Sequence, residues 1–339
     1  MLPFPSLELS RATRLGIAGL MAILIFGITV ANNGVSASSS SNGTVAASPA
    51  MLTAKASHFA SLNAAETEFW LEVAVAHNGH GADFSARIAA AFGHYNDVLF
   101  LASEQLAARI NLIDELGPEA YQPRIDPSNF SPNISNPYYP LVVGQTRIYQ
   151  KDSDDGLETI EVTVLEKTQV INGVTCRVVN ETTTNHAGDE EEVTVEWVSQ
   201  DSSGTVWSFG ELTKNYENGF LDNLDGSWRY GKNGAQPGIT MLANPQAGAI
   251  YRQEYLPAVV EDVARAHSAT TSITVTAGTF SSCVMIVDSS ALEPSASEQK
   301  FFAPGVGTVA EVDLEDGSIL MLVEICGPQI PIPSLSRGK

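Results

Sequence analysis

The fold class follows largely from one stretch of sequence, Glu191–Gly231, which reads EEVTVEWVSQDSSGTVWSFGELTKNYENGFLDNLDGSWRYG. Apolar and polar residues alternate from Val193 to Trp197, which is the period of a half-buried β-strand. The tetrapeptide Asp201–Gly204 (DSSG) is typical of a tight turn, and alternation resumes after it. Three of the four tryptophans lie in this stretch. It therefore predicts the centre of an antiparallel sheet, with Trp197 and Trp207 opposite each other and Trp197 in the packed interior.

Strand signals continue on both sides of this centre, from TRIYQ (146–150) to SILMLVEIC (318–326), and turn dipeptides separate them. Asp316-Gly317, between two alternating runs, is the strongest hairpin signal. No helical pattern intervenes except at 257–268, where a short helix is predicted. We expect an α+β protein that is mostly β, in which a helical hairpin precedes a large antiparallel meander curled into a half-barrel, barrel or sandwich. The Gly- and Pro-rich stretch 232–248 is expected to form a lid.

The N-terminal 37 residues have the pattern of a signal peptide. Arg11 and Arg14 precede the uncharged apolar run Leu15–Val30, and small residues follow it. The run of 16 residues is at the short end for a spanning helix, so an uncleaved anchor is the alternative. The protein is expected to be exported, periplasmic or extracellular, and to contact a membrane only through residues 15–30 if the segment is retained.

The remaining chain divides by composition. Residues 38–50 are rich in Ser and Ala and predict a disordered linker, and 51–118 lack proline until position 118 and predict the helical hairpin. The Pro-rich segment 119–140 is expected to link it to the β domain at 141–327, and 328–339 to form a disordered tail. His77, His80 and His94 lie near the hairpin, but their spacing does not suit one ion, so no metal site is predicted.

The formal net charge of −21 excludes nucleic acid as a partner, because nucleic acid is bound through Lys and Arg. Three cysteines, at positions 176, 283 and 326, cannot all pair, and no C-x-x-C spacing exists. We therefore expect no obligatory disulfide. No nucleotide-binding or nucleophile motif is present, and no cofactor is predicted.

Several motifs together resemble an uncharacterised family of exported bacterial proteins, many of them lipoproteins. They are NPYYPLVVGQTRIY (136–149), W-x3-D-x2-G-x2-W-x-F-G-E (Trp197–Glu211), GAQPGITML (234–242), YRQEY (251–255), EDVA (261–264) and FFAPGVGTVAEV (301–312). The chain departs from the lipoprotein members because it lacks the lipid-modified cysteine. The expected half-barrel is also similar to periplasmic lipoprotein carriers, in which a curved sheet cradles acyl chains. That similarity implies an apolar or lipid-like ligand on the concave face.

Candidate site residues cluster around the 232–248 stretch. Trp228, Tyr230 and Arg252 are expected to line the mouth of a binding site, and Glu254, Glu261 and Asp262 to form a charged rim. The favoured function is a non-catalytic binding or scaffolding protein of the cell envelope, with a lipid, a small apolar molecule or an envelope protein as partner. Paired carboxylates also permit a second hypothesis, an envelope hydrolase that uses Glu254, Glu261 or Asp262. The third is a structural module that docks through its helical hairpin.

Overall fold

The computed structural model describes residues 47–79, 83–153 and 156–328. The predicted signal segment, residues 38–46 of the predicted linker, His80 and residues 329–339 lie outside these ranges. Two long helices come first, α1 (Pro49–Asn78) and α2 (Phe84–Leu116). Ser48 caps α1 by accepting a hydrogen bond from the Met51 amide, and Asp83 stands at the N-cap position of α2. No helix in the described part of the chain has the length and apolar character of a membrane span.

The two helices pack side by side through alanines that recur every eleven residues. Ala54, Ala65 and Ala76 are buried on α1, and Ala91 and Ala102 are buried on α2. Eleven residues make almost exactly three helical turns, so each alanine returns to the same side of its helix. The small side chains let the helices lie close, while Phe59, Trp70 and Phe100 point outward and are exposed.

One antiparallel sheet of fifteen strands follows the hairpin, which confirms the fold class predicted from the sequence. The strands are β1 (Phe130–Ser131), β2 (Thr146–Ser153), β3 (Gly156–Ile171), β4 (Val174–Thr184), β5 (Glu190–Asp201), β6 (Val206–Glu217), β7 (Phe220–Asn223), β8 (Trp228–Arg229), β9 (Gly238–Met241), β10 (Ile250–Arg252), β11 (Asp262–Val275), β12 (Gly278–Ser290), β13 (Ser297–Ala303), β14 (Gly307–Asp313) and β15 (Ile319–Cys326). The 3-10 turn Pro127–Asn129 precedes β1.

The sheet runs in the order β10-β11-β12-β13-β14-β15-β2-β3-β4-β5-β6-β7, with β1 added beside β5 and with β8 and β9 added beside β6. It curls so far that its two ends approach each other. Gln236, just before β9, forms a bridge with Tyr255, just after β10, and its amide donates to the Tyr255 carbonyl at 2.8 Å. Gly238 passes so close to the Gln253 carbonyl that any Cβ there would collide with it.

A closely packed apolar core fills part of the curl. Strands from opposite arms of the sheet contribute to it, which is possible only because the sheet wraps around. Its buried residues are Ile134, Val179, Val198, Val206, Met241, Tyr251, Ala264, Val284, Ile286 and Phe302.

The turn at Asp201–Gly204 forms as predicted. The Asp201 carboxylate accepts hydrogen bonds from the amides of Ser203 and Thr205 and from the Trp207 indole. The predicted pairing of the tryptophans is wrong, however, because the register shifts between Glu196 and Val198. Trp207 therefore lies opposite Ser199, and Trp197 is only partly buried.

Two further local predictions are corrected. The segment 257–268 is not a helix. Residues 257–259 form a turn, and β11 begins at Asp262. Val263, Ala264 and Ala266 are buried in this strand. The sequence indicated a helix there because alanine favours helices in isolation. The 232–248 stretch is no lid either. Ala235 and Met241 are completely buried in it, and β9 is hydrogen-bonded to β6.

The hairpin is attached to the sheet through the C-terminal half of α2. Leu112 packs against Val263 on β11, and the Gln105 side-chain amide donates to the Leu292 carbonyl at 2.9 Å. Glu115 forms an ion pair with Arg265. The three cysteines are all unpaired in the structure, and Cys176 and Cys283 are buried.

Candidate ligand site

Seven carboxyl groups lie on the inner face of the curled sheet, and we call them the acidic face. The strands β4, β5, β6, β11, β12 and β14 each contribute one, and the seventh follows β10. They are Glu181, Glu196, Glu211, Asp262, Asp288, Glu311 and Glu254.

Alternation along the strands places these residues on the same face as the apolar core. Glu181 lies two residues from Val179, and Asp288 lies two residues from Ile286. Successive strands also align them across the sheet, where Glu196 lies opposite Glu211 and Glu211 opposite Trp228. The inner face therefore carries a packed apolar layer and, beside it, a layer of acids.

The acids interact across the curl as well as along the sheet. Glu211 on β6 acts electrostatically on Glu254 together with Asp262 on β11, and Glu311 on β14 acts on Glu181 on β4. Strands β6 and β11 lie far apart in the sheet order, so their residues can interact only if the two arms face each other. The acidic face thus has two opposed walls.

Lys300 on β13 is the cation that contacts this group. Its Nζ lies 3.2 Å from an Asp288 carboxylate oxygen, 3.6 Å from Glu311 and 3.6 Å from Glu298. Burial tends to lower the pKa of Lys300, but the carboxylates of Glu311, Asp288 and Glu298 outweigh it and hold that pKa well above its ordinary value. Lys300 is therefore a fixed positive charge.

Every carboxyl of the acidic face has a raised pKa. Burial is the largest cause at each position, and repulsion by neighbouring carboxylates adds to it. Together, burial and the carboxylates of Glu196, Glu311 and Glu192 raise the pKa of Glu181 to about 8. The side chains of Asp288 and Glu311 are still 12% and 26% exposed, so water reaches this face. Repulsion among solvent-accessible acids is a chemical signature of a site for a cation.

Three buried polar atoms beside the acidic face have no hydrogen-bond partner. They are the Trp228 Nε1, the Tyr251 hydroxyl and one Asp288 oxygen. Trp228 and Tyr251 are only 4% and 5% exposed. The Trp228 indole interacts favourably with Glu254 without reaching hydrogen-bond geometry, and the Tyr251 hydroxyl feels the charge of Asp288. Both polar groups therefore border the acids, where a ligand could satisfy them.

The six residues predicted as one ligand site fall in three places. Glu254 and Asp262 belong to the acidic face, and Trp228 forms part of its wall, although it is buried against Leu256 and Val260 rather than open to solvent. The predicted mouth position of Trp228 is therefore wrong. Tyr230 packs in a different cluster with Phe209, at a ring distance of 5.9 Å.

Arg252 and Glu261 lie elsewhere, at the junction with the helical hairpin. The Glu261 carboxylate receives two hydrogen bonds from Arg109 of α2, at 2.8 and 2.9 Å, and is 3% exposed. It also accepts a 2.7 Å hydrogen bond from the Ala258 amide. The Glu261 carboxylate is thus fully used in holding the hairpin against the sheet, whereas Asp262, the first residue of β11, lies on the acidic face.

Six charged residues of this face were not predicted as site residues from the sequence: Glu181, Glu196, Glu211, Asp288, Lys300 and Glu311. Each lies inside a strand two residues from a buried apolar or aromatic side chain, as in VEWV (195–198), FGE (209–211) and VAE (309–311). A charge that shares a strand face with a core residue is unusual, and six such cases in one meander would have indicated a polar inner face.

A second group of possible ligands lies on the hairpin, where Glu68, Glu72 and His94 have ligand atoms within 4.8 Å of one another. His94 forms an ion pair with Glu68 at 3.4 Å, and both side chains are about two-fifths exposed. Arg87 lines the same groove and contributes a positive charge. The trio is satisfied as a surface ion pair.

Comparison with known proteins gives distant structural similarity. No protein-family model and no curated protein match the chain. Similar solved structures include a protein assigned to export, with a YmcC-like fold, from Bacteroides fragilis, at 14% identity and a TM-score of 0.35. Another is a protein assigned as a lipoprotein from Parabacteroides distasonis, at 16% identity and a TM-score of 0.31. Each match covers 56% of this chain and 98% of the other. At these scores the similarity assigns no function.

Proposed function

We propose that the protein is an exported, non-catalytic binding protein that holds an organic cation on its acidic face. The observation that carries the proposal is the pair of opposed walls bearing seven carboxyl groups with one contacting lysine. Export is supported by the n-region, apolar run and small residues at the N-terminus.

A cation would relieve the repulsion that raises the pKa of these carboxyls. One lysine cannot neutralise seven carboxylates, and Lys300 is already shared among three acids. A ligand with several ammonium groups would place a positive charge near each wall, and the carboxyls would release protons as it binds. Trp228 and Tyr251 add aromatic rings and unpartnered polar atoms at the same face.

An organic polycation suits this geometry better than a metal ion does. Chelation of one ion requires three or more ligand atoms close together, and in the described residues that condition is met only by Glu68, Glu72 and His94. The acidic-face residues come from six strands on two walls and are therefore spread too widely for one ion. A chain of ammonium groups can span such a distance.

The lipid-like ligand expected from the sequence remains the competing prediction. The apolar part of the concave face is filled by buried core residues, among them Val198, Val206 and Phe302. An acyl chain would therefore have to lie against carboxyl groups, to which it offers neither a hydrogen bond nor a counter-charge. An organic cation loses hydration of its own, but it offers both.

The second candidate is the hydrolase hypothesis, now restricted to Glu254 and Asp262. Burial and neighbouring acids hold the pKa of Glu254 well above its ordinary value, which is the condition for a general acid near neutral pH. Glu261 is no longer a candidate catalytic residue because its carboxylate forms an ion pair with Arg109.

Titration calorimetry with spermidine tests the binding proposal. We expect binding at pH 7 with proton release, measured by repeating the titration in buffers of different ionisation enthalpy. Glu196→Gln should weaken binding on the order of tenfold, because it removes one charge from the centre of a wall. Glu191→Gln is the matched control: it changes the net charge equally on the same strand, but Glu191 is exposed at the strand end.

The outcomes separate the hypotheses. Equal affinity in both variants would place spermidine on the surface and overturn the proposal. Binding of laurate without binding of spermidine would favour the lipid-like ligand. Turnover of a glycan that is lost in Glu254→Gln would favour the hydrolase.

A further inference from the structure

A small cavity lies where the helical hairpin meets the sheet. Its volume is about 20 Å³, and α1, α2, β10 and the segment that follows β10 all line it. Two arginines reach it, Arg109 from α2 and Arg252 from the end of β10, together with Tyr255 and Glu261.

Each arginine presents a buried nitrogen that has no hydrogen-bond partner. Arg109 uses its Nε and Nη2 on Glu261, which leaves its Nη1 unpaired, and the residue is 5% exposed. The Nη1 of Arg252 is likewise buried and unpaired. The Arg252 guanidinium lies 4.2 Å from the ring centre of Tyr255 and 5.7 Å from that of Tyr121. It forms no ion pair within the described part of the chain.

The charges around the cavity do not balance. Two guanidinium groups and one carboxylate line it, so one positive charge is left over, and the Nη1 atoms of both arginines are shielded from water. A buried charge without a counter-charge is costly, and an unpaired N–H donor adds to that cost. Two such donors around one cavity therefore require an acceptor with negative charge.

We propose that this cavity binds a chloride ion. A water molecule needs roughly 10–15 Å³, so the cavity has room for a monatomic ion of similar size. Chloride accepts hydrogen bonds from both Nη1 groups and neutralises the excess charge. The site also joins the hairpin to the sheet, since its two arginines come from those two parts. This proposal is independent of the acidic face, which has the opposite charge.

The test is unfolding of the full protein at constant ionic strength while gluconate is replaced by chloride. An ion that binds only the folded state lowers the unfolding constant by a factor of one plus its concentration over its dissociation constant. For a dissociation constant on the order of 10 mM, 0.2 M chloride would lower it roughly 20-fold. We expect a saturable rise in stability, and bromide should reproduce it.

Arg252→Met should abolish the chloride dependence. Arg265→Met is the control, because it also breaks a contact between α2 and the sheet, yet Arg265 does not line the cavity. A crystal soaked in bromide provides a second measurement that needs no variant: an anomalous peak is expected between the two Nη1 atoms. Unfolding that is identical in gluconate and chloride, or the absence of that peak, would overturn the proposal.

Discussion

The ion pair between Arg109 and Glu261 offers the sharpest test of how the hairpin is held. Both side chains are about 95% buried, and their contact is bidentate. Arg109→Met removes the paired cation and both of its hydrogen bonds from the buried Glu261 carboxylate, and Arg252, the other cation at the cavity, forms no ion pair with Glu261. Breaking a buried pair in this way costs about 3–5 kcal/mol of the free energy of unfolding.

The double variant Arg109→Met with Glu261→Leu separates the charge from the packing. Replacing both members by apolar groups removes the stranded charge and is often nearly neutral. Here a cost of about 1–3 kcal/mol should remain, because the Ala258 amide loses its acceptor. The double variant should thus be more stable than the single one.

Urea unfolding monitored by tryptophan fluorescence gives both values, and it should be run in gluconate so that anion binding does not contribute. Arg265→Met is the control, since the pair with Glu115 is partly exposed and worth at most about 1 kcal/mol. A cost below about 1 kcal/mol for Arg109→Met would contradict the expected penalty for breaking this buried ion pair. A double variant less stable than the single one would contradict it too.

Three other predictions concern the core, the acids and the thiols. Trp228→Ala should cost about 3–5 kcal/mol by urea unfolding and Trp197→Ala clearly less, because only Trp228 is fully buried; equal losses would contradict this. Glu181 has a folded pKa of about 8, above its ordinary value, so its contribution to stability is complete below pH 4.5 and lost as the pH rises through 8. The thermal midpoint should therefore fall between about pH 5 and pH 8, and Glu181→Gln should flatten that fall; a midpoint that rises instead would be inconsistent with buried, repelling acids. Thiol titration of the denatured, unreduced protein should find three free thiols; one would indicate a disulfide.

The sequence predicted the fold class because strand alternation and turn residues are local signals. The turn at Asp201–Gly204 depends on one side chain that accepts bonds from amides two and four residues away, and such contacts are readable in a short window. The helical hairpin could also be predicted from local sequence, since the amino-acid composition of that segment favours helix.

The site was harder to predict because it depends on which strands face each other. Glu181 and Glu311 are separated by 130 positions and by three intervening strands of the sheet, and only the curl brings their charges together. Adjacent residues misled the prediction in the opposite way. Glu261 and Asp262 are predicted in one charged cluster, but the Glu261 carboxylate pairs with Arg109 of α2, whereas Asp262 lies on the acidic face.

The close approach at Gly238 gives the curled sheet a weak seam. The two arms meet there through the Gln236–Tyr255 bridge, and the acids on those same arms repel one another. As the carboxyls ionise, their repulsion pushes the two arms apart at this junction, where Gln236 and Tyr255 form an isolated bridge rather than a strand ladder. The curled sheet should therefore open first at this seam, and a bound polycation would hold the two arms together.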